Sequence, residues 1–283
     1  MPALNTTIGF EAEFNNNVDA LGHRLYAEGL VAQPTMHRWH CDCDICTDYE
    51  SHGFHLQTDS SCGGEVISRV LRTTDDLDSL TEALQAAAFA VDAEPGTTAG
   101  FHVHVKPHRL RSVRYKCLWN YMRWEETLLL LSAGAFAQYR GVNMKFTNEA
   151  YVYRDNGYPG ERARFAVQDG WDFDDVDWET TFECTEDLDR HCTLNLRGGP
   201  GTWEFRLWNS TRAAWRMQMF AGLSSAFVNK DFTTIVADED STDTGTLISA
   251  LDLAGYSRTA EHVTRQVAFL ARNDVPVAPT FTR

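Results

Sequence analysis

Residues 6–14, TTIGFEAEF, alternate apolar and polar side chains and predict a β-strand. Ile8, Phe10, Ala12 and Phe14 fall on one face, Glu11 and Glu13 on the other. Val18, Leu21, Leu25 and Leu30 line one side of a helix predicted over 18–30. Residues 34–57 show no clear period and concentrate His and Cys. A strand is predicted at 64–70, GEVISRV. A helix at about 76–92 follows, its core stripe made of Leu77, Leu80, Leu84, Ala87, Ala88 and Val91. The alternation returns in GFHVHVK at 100–106, and the longest helix is predicted at about 109–133. Residues 140–190 are mixed. Residues 191–207 read as a hairpin turning on GGPG at 198–201. Helices fill about 210–230 and 246–272, separated by an acidic, Thr-rich linker at 237–245. Strands and helices in this mixed order predict an α+β fold with a mainly antiparallel sheet.

Three of these strands carry a charged pair. Glu11 and Glu13 share a face of the first, His102 and His104 of the third, and Glu204 and Arg206 of the last. A half-exposed sheet with an ordinary polar outer face would also alternate, but it would mix Thr, Ser, Lys and Gln into those slots. Glu is a poor strand former. Neighbouring carboxylates repel by on the order of 1–4 kcal/mol unless a cation lies between them. The three pairs together point to a site, and carboxylates with imidazole suit Mg²⁺ or Mn²⁺. Glu65 begins a strand after two glycines, where it can join the cluster. Asp59 precedes it in TDSSCGGEVIS.

GFEAEF at 9–14, DSSCGGEVIS at 59–68, GFHVHV at 100–105, RHCTLNL at 190–196 and TWEFRLWNST at 202–211 occur in one order along the chain. In that order they resemble the amidoligase family of carboxylate–amine ligases, which shares the catalytic fold of glutamine synthetase. The resemblance implies a single catalytic domain over 1–283, with a curved sheet, helices on one face and an active-site trough on the other. The Cys/His-rich stretch at about 34–57 would be an insertion, and 246–272 a C-terminal helical segment. It further implies that Glu11 and Glu13 bind two different Mg²⁺ ions and that Glu65, Glu204 and His102 are further ligands, with Asp59 an additional one. His104 and Arg190 would lie at the phosphates of ATP, and Arg206 would hold the γ-phosphate. Arg140 and Arg197 are further anion candidates, although a solvated salt bridge suits both. The implied reaction forms an amide or isopeptide bond through an acyl phosphate, on an amino acid, peptide or protein. Members of the family are often encoded near peptide-modification systems or in phage genomes. No Walker-type glycine loop is present, and the chemistry does not call for one.

His37, His40, Cys41, Cys43 and Cys46 form a second constellation that departs from the family pattern. The run C-x-C-x₂-C with a flanking His suits tetrahedral zinc, and a reduced Cys-rich surface loop is the plainer alternative. The seven cysteines are an odd number, and the N-terminus lacks the basic and apolar regions of a secretory signal. Both favour a reducing, cytoplasmic setting, in the host cell if the gene is a phage's. The formal net charge of −15 argues against nucleic-acid and anionic-membrane partners. A monomer or small homo-oligomer is expected. Other functions stay open on the residues alone: a guanidino kinase-like phosphotransferase on the same fold, a metallohydrolase, or a non-catalytic metal-binding module.

Overall fold

The structure, a computed structural model, describes residues 3–38, 41, 43, 51–59, 62–95, 99–132, 194–198, 201–237, 239 and 241–272. Among the described residues the strands form one seven-stranded sheet. Its strands are β1 (Ala3–Phe14), β2 (Phe54–Gln57), β3 (Gly64–Ser68), β4 (Leu71–Thr73), β5 (Gly100–Val105), β6 (Leu194–Gly198) and β7 (Thr202–Asn209). The order is β2-β3-β1-β5-β7-β6, and β4 pairs with β1. Every pairing among these strands is antiparallel. β1 is long enough to take β3 along its C-terminal half and β4 along its N-terminal half while β5 lies on its other side.

The predicted strands at 6–14 and 100–106 and the hairpin are present. The one predicted at 64–70 ends at Ser68, and the chain re-enters the sheet as β4. β2 lies inside the stretch without a period. Phe54, His55 and Leu56 are all buried, so the strand has no solvent face to produce alternation.

The helices are α1 (Val18–Ala27), α2 (Thr74–Ala90), α3 (Arg111–Ser132), α4 (Ala214–Phe227), α5 (Lys230–Ala237), α6 (Thr244–Leu253) and α7 (Ser257–Arg272). Thr73 caps α2, its hydroxyl accepting from Asp76 N at 3.1 Å, and Asp243 caps α6 by accepting from Thr246 N at 2.8 Å. The helix predicted at 210–230 is shorter and is followed by a second one. Asn229 restarts the chain, its Oδ1 accepting from Asp231 N at 2.8 Å and Phe232 N at 3.3 Å. The segment 246–272 is likewise two helices, split by the turn at Ala254–Tyr256. No described helix is long and apolar enough to cross a membrane.

One face of the sheet is apolar and covered by helices. Phe10 stacks on Phe101 with centroids 5.2 Å apart, Phe101 meets Phe220 of α4, and Trp208 stacks on Phe220 at 4.6 Å. Tyr121 of α3 meets Phe205 of β7 edge-on. α4 lies between this face and α7, and all but one of its residues, Trp215, are buried. A helix enclosed on all sides shows no amphipathic stripe. This covering leaves the opposite face of β1, β5 and β7 to the charged pairs.

Candidate functional site

Strand register decides which polar side chains meet. Glu13 lies opposite Glu65, Glu11 opposite His102, and His104 opposite Glu204, with Asn195 across from Glu204 on the far side. Directly paired residues project to the same face, so the pairs predicted on separate strands become one patch that spans five strands, β3, β1, β5, β7 and β6.

His102 sits at its centre and is almost fully buried, at 1% exposure. Its Nδ1 lies 3.1 Å from Glu11 Oε2 and 3.5 Å from Glu204 Oε1, and its Nε2 lies 3.5 Å from Glu13 Oε1. His104 Nε2 lies 3.1 Å from Glu11 Oε1, and its Nδ1 lies 3.2 Å from Thr202 Oγ1. Arg206 Nη1 donates to Glu204 Oε1, and Asn195 Nδ2 donates to Glu204 Oε2 at 2.8 Å. Gly100 N donates to Glu13 Oε2, which ties the start of β5 to that carboxylate. The Ser210 hydroxyl donates to the Glu13 carbonyl at 2.6 Å.

The patch has two ends. At one, ligand atoms of Glu11, His104 and Glu204 lie within 4.8 Å of one another, a spacing that can hold a metal ion. Glu13 and Glu65 occupy the other, and His102 separates the two. The glycines before Glu65 are there for close packing. A Cβ on Gly63 would stand 2.8 Å from the Asn15 carbonyl oxygen, and one on Gly64 would stand 2.4 Å from Met36 Sδ.

No protein-family model and no curated protein matches this chain.

The charges are strongly perturbed. Burial pushes the Glu11 carboxyl up, but the hydrogen bonds from His102 and His104 outweigh it and hold it well below the usual carboxylate range. For Glu204, burial is likewise overcome, here chiefly by the Arg206 guanidinium. His104 is raised: burial works against its charged form, and the hydrogen bond and charge of Glu11 prevail. Glu65 behaves oppositely. Burial, then the charges of Glu11, Glu13 and Asp59, lift its carboxyl to about 9, with Arg206 offsetting part of the rise. Asp59 therefore lies close enough to act on Glu65 electrostatically. Burial raises the Cys62 thiol, and the charges of Glu13, Asp59 and Glu65 raise it further, so it stays protonated and is no nucleophile. Cys117, buried in α3, is pushed up to about 12 by burial and is a core thiol.

Of the residues nominated from the sequence, Glu11, Glu13, Glu65, His102, His104, Glu204 and Arg206 come together. Arg140, Arg190, His40, Cys46 and the Arg197 side chain lie outside the described residues. His37, Cys41 and Cys43 gather separately, beside β2. Sequence reasoning missed Asn195 and Thr202, which orient Glu204 and His104 from β6 and β7. The readable signal was Asn, a poor strand former, alternating with Leu194 and Leu196.

Proposed function

We propose that the protein is an ATP- and divalent-cation-dependent carboxylate–amine ligase built on a glutamine synthetase-like fold. The observation that carries this reading is the convergence of Glu11, His104 and Glu204 within 4.8 Å, with Arg206 bonded to Glu204 at the rim. Oxygen donors with one imidazole fit Mg²⁺ or Mn²⁺, and a guanidinium beside them fits a phosphoryl oxygen. Glu13 and Glu65 would hold a second ion at their own end. Bound there, the cations supply charge neutralisation for a transferring phosphoryl group.

The chain's own residues position and balance the charges. Arg206 leaves Glu204 in part to engage the γ-phosphoryl group as a substrate carboxylate attacks it and ADP departs. Asn195 keeps Glu204 oriented during that exchange, and Thr202 holds the ring of His104. The acyl phosphate so formed is then attacked by an amine at the acyl carbon. Inorganic phosphate leaves and an amide or isopeptide bond remains. An amino acid, a peptide or a protein can supply the carboxylate.

Calorimetry of ATP with and without Mg²⁺, on the parent and on Glu204→Gln and Arg206→Gln, tests the site. ATP should bind the parent only when Mg²⁺ is present, and both variants should lose that binding. Equal binding by parent and variants would end this reading. Product masses then identify the reaction: loss of one water between two substrates marks ligation, and gain of phosphate by one substrate marks a phosphotransferase.

A further inference from the structure

A second cluster of metal-ligating side chains lies outside the carboxylate patch, and its donors are of a different kind. One ligand atom each from His37, Cys41 and Cys43 lies within 4.8 Å of the others, and His37 Nδ1 stands 3.3 Å from Cys43 Sγ. In a tetrahedral zinc site, with Zn–S about 2.3 Å and Zn–N about 2.0 Å, ligand atoms stand about 3.5–3.8 Å apart. The observed N–S separation is therefore close to that of a loaded site. All three residues are partly buried, within reach of solvent for loading and sheltered enough to retain an ion.

The three are delivered by backbone that is itself held in place. His37 forms a parallel bridge to Gln57 of β2, the strand at that edge of the sheet. Its N–H donates to the Leu56 carbonyl at 3.0 Å, and its own carbonyl accepts from Thr58 N at 2.8 Å. The Gln57 side chain donates to the Arg38 carbonyl at 3.4 Å, and Cys41 N donates to that same carbonyl at 3.0 Å, which holds Cys41 beside the sheet edge. The ring of His55, on β2, packs against His37 with centroids 5.2 Å apart. One ligand thus comes from the sheet edge and two from residues beside it, so a bound ion cross-links those two to the sheet.

We propose that His37, Cys41 and Cys43 supply three positions of a structural zinc site that ties Cys41 and Cys43 to the edge of the sheet. Two thiolates and an imidazole select a borderline-soft ion such as zinc, whereas the carboxylates of the patch select hard ions. The chain therefore sorts two metals by donor chemistry. The zinc site also bears on the carboxylate patch: β2 pairs with β3 so that Gln57 lies opposite Glu65, and Met36, next to His37, packs against Gly64. Zinc would hold the sheet at the Glu65 end. The site does not rest on the ligase reading, and either can fail alone.

The full chain, purified under reducing conditions from zinc-supplemented cells, should carry about one zinc per chain by elemental analysis. After chelation and loading with Co²⁺ it should show a thiolate-to-cobalt charge-transfer band. The Cys41→Ser/Cys43→Ser variant should lose both the zinc and the band, while Cys117→Ala keeps both. Alkylation of the parent, mapped by mass spectrometry, needs no variant to fold: Cys41 and Cys43 should be protected with zinc and labelled after chelation. Absence of zinc and of the cobalt band in the folded parent would overturn the proposal. So would zinc retention by the double variant, or labelling of both thiols at the same rate with and without zinc.

Discussion

Glu65 shows what one residue contributes to the carboxylate patch. Its carboxyl is raised from an ordinary value of 4.5 to about 9, by burial first and by the charges of Glu11, Glu13 and Asp59 second. A native state with the higher pKa binds the proton more tightly than the unfolded chain does. The stabilisation is therefore complete below pH 4.5, declines as the pH rises, and is gone above about 9. His104, also raised, pulls the same way above neutrality. With chelator present, the thermal midpoint should fall between pH 6 and about 9. Glu65→Gln should flatten that fall, and Mg²⁺ should reverse it in the parent but not in the variant. A differential scanning fluorimetry series across that range would check all three. A parent midpoint that is flat with pH would contradict the assigned environment of Glu65.

Packing sets the terms at the level of elements. α4 and α7 approach so closely at Gly222 that an added Cβ would stand 2.2 Å from Thr259 Oγ1. Gly222→Ala should then cost about 1–3 kcal/mol of stability, measured by urea unfolding, as overpacked interiors do. Adding Thr259→Ala should recover part of that loss by removing the atoms that clash most. The same packing explains which elements the sequence revealed. β1, β5 and β7 have one face against helices and one that carries the charged pairs, so their composition alternates visibly. β2 is buried on both faces and does not. The break after α4 falls at Asn229, which caps α5, directly after the buried apolar run Ala226–Val228 that hides the stop. The short β4 offers too few positions for any period.

Over the whole molecule, two separate facts make the site: which residues are polar, and which strands are neighbours. The first was legible. Glu11, Glu13, His102, His104, Glu204 and Arg206 stand out because charge occupies each alternate slot. The second was not. Nothing local places Glu11 opposite His102, 91 residues away, or His104 opposite Glu204. Register follows from β1 lying in the middle of the sheet, a property of the assembled fold. Asn195 was overlooked for the same reason, since its importance comes from its partner across β7.

That central place of β1 also orders events during synthesis. The first strand made must wait for β5 before its second edge is covered, and β7 must follow to cover β5 in turn. The bond from Ser210 to the Glu13 carbonyl joins residues 197 apart. At ribosomal speeds of roughly 5–20 residues per second, some 10–40 s separate the emergence of the two. Throughout that interval the growing sheet has an open edge, first on β1 and then on β5, the feature from which sheets aggregate. A nascent chain halted at residue 200, before β7, should bind a holdase chaperone and resist native-like protection from protease. One extended past α4 should be released and protected. Protease protection of stalled ribosome complexes at the two lengths would measure this, and equal protection at both would show that the early strands mature without their late partner.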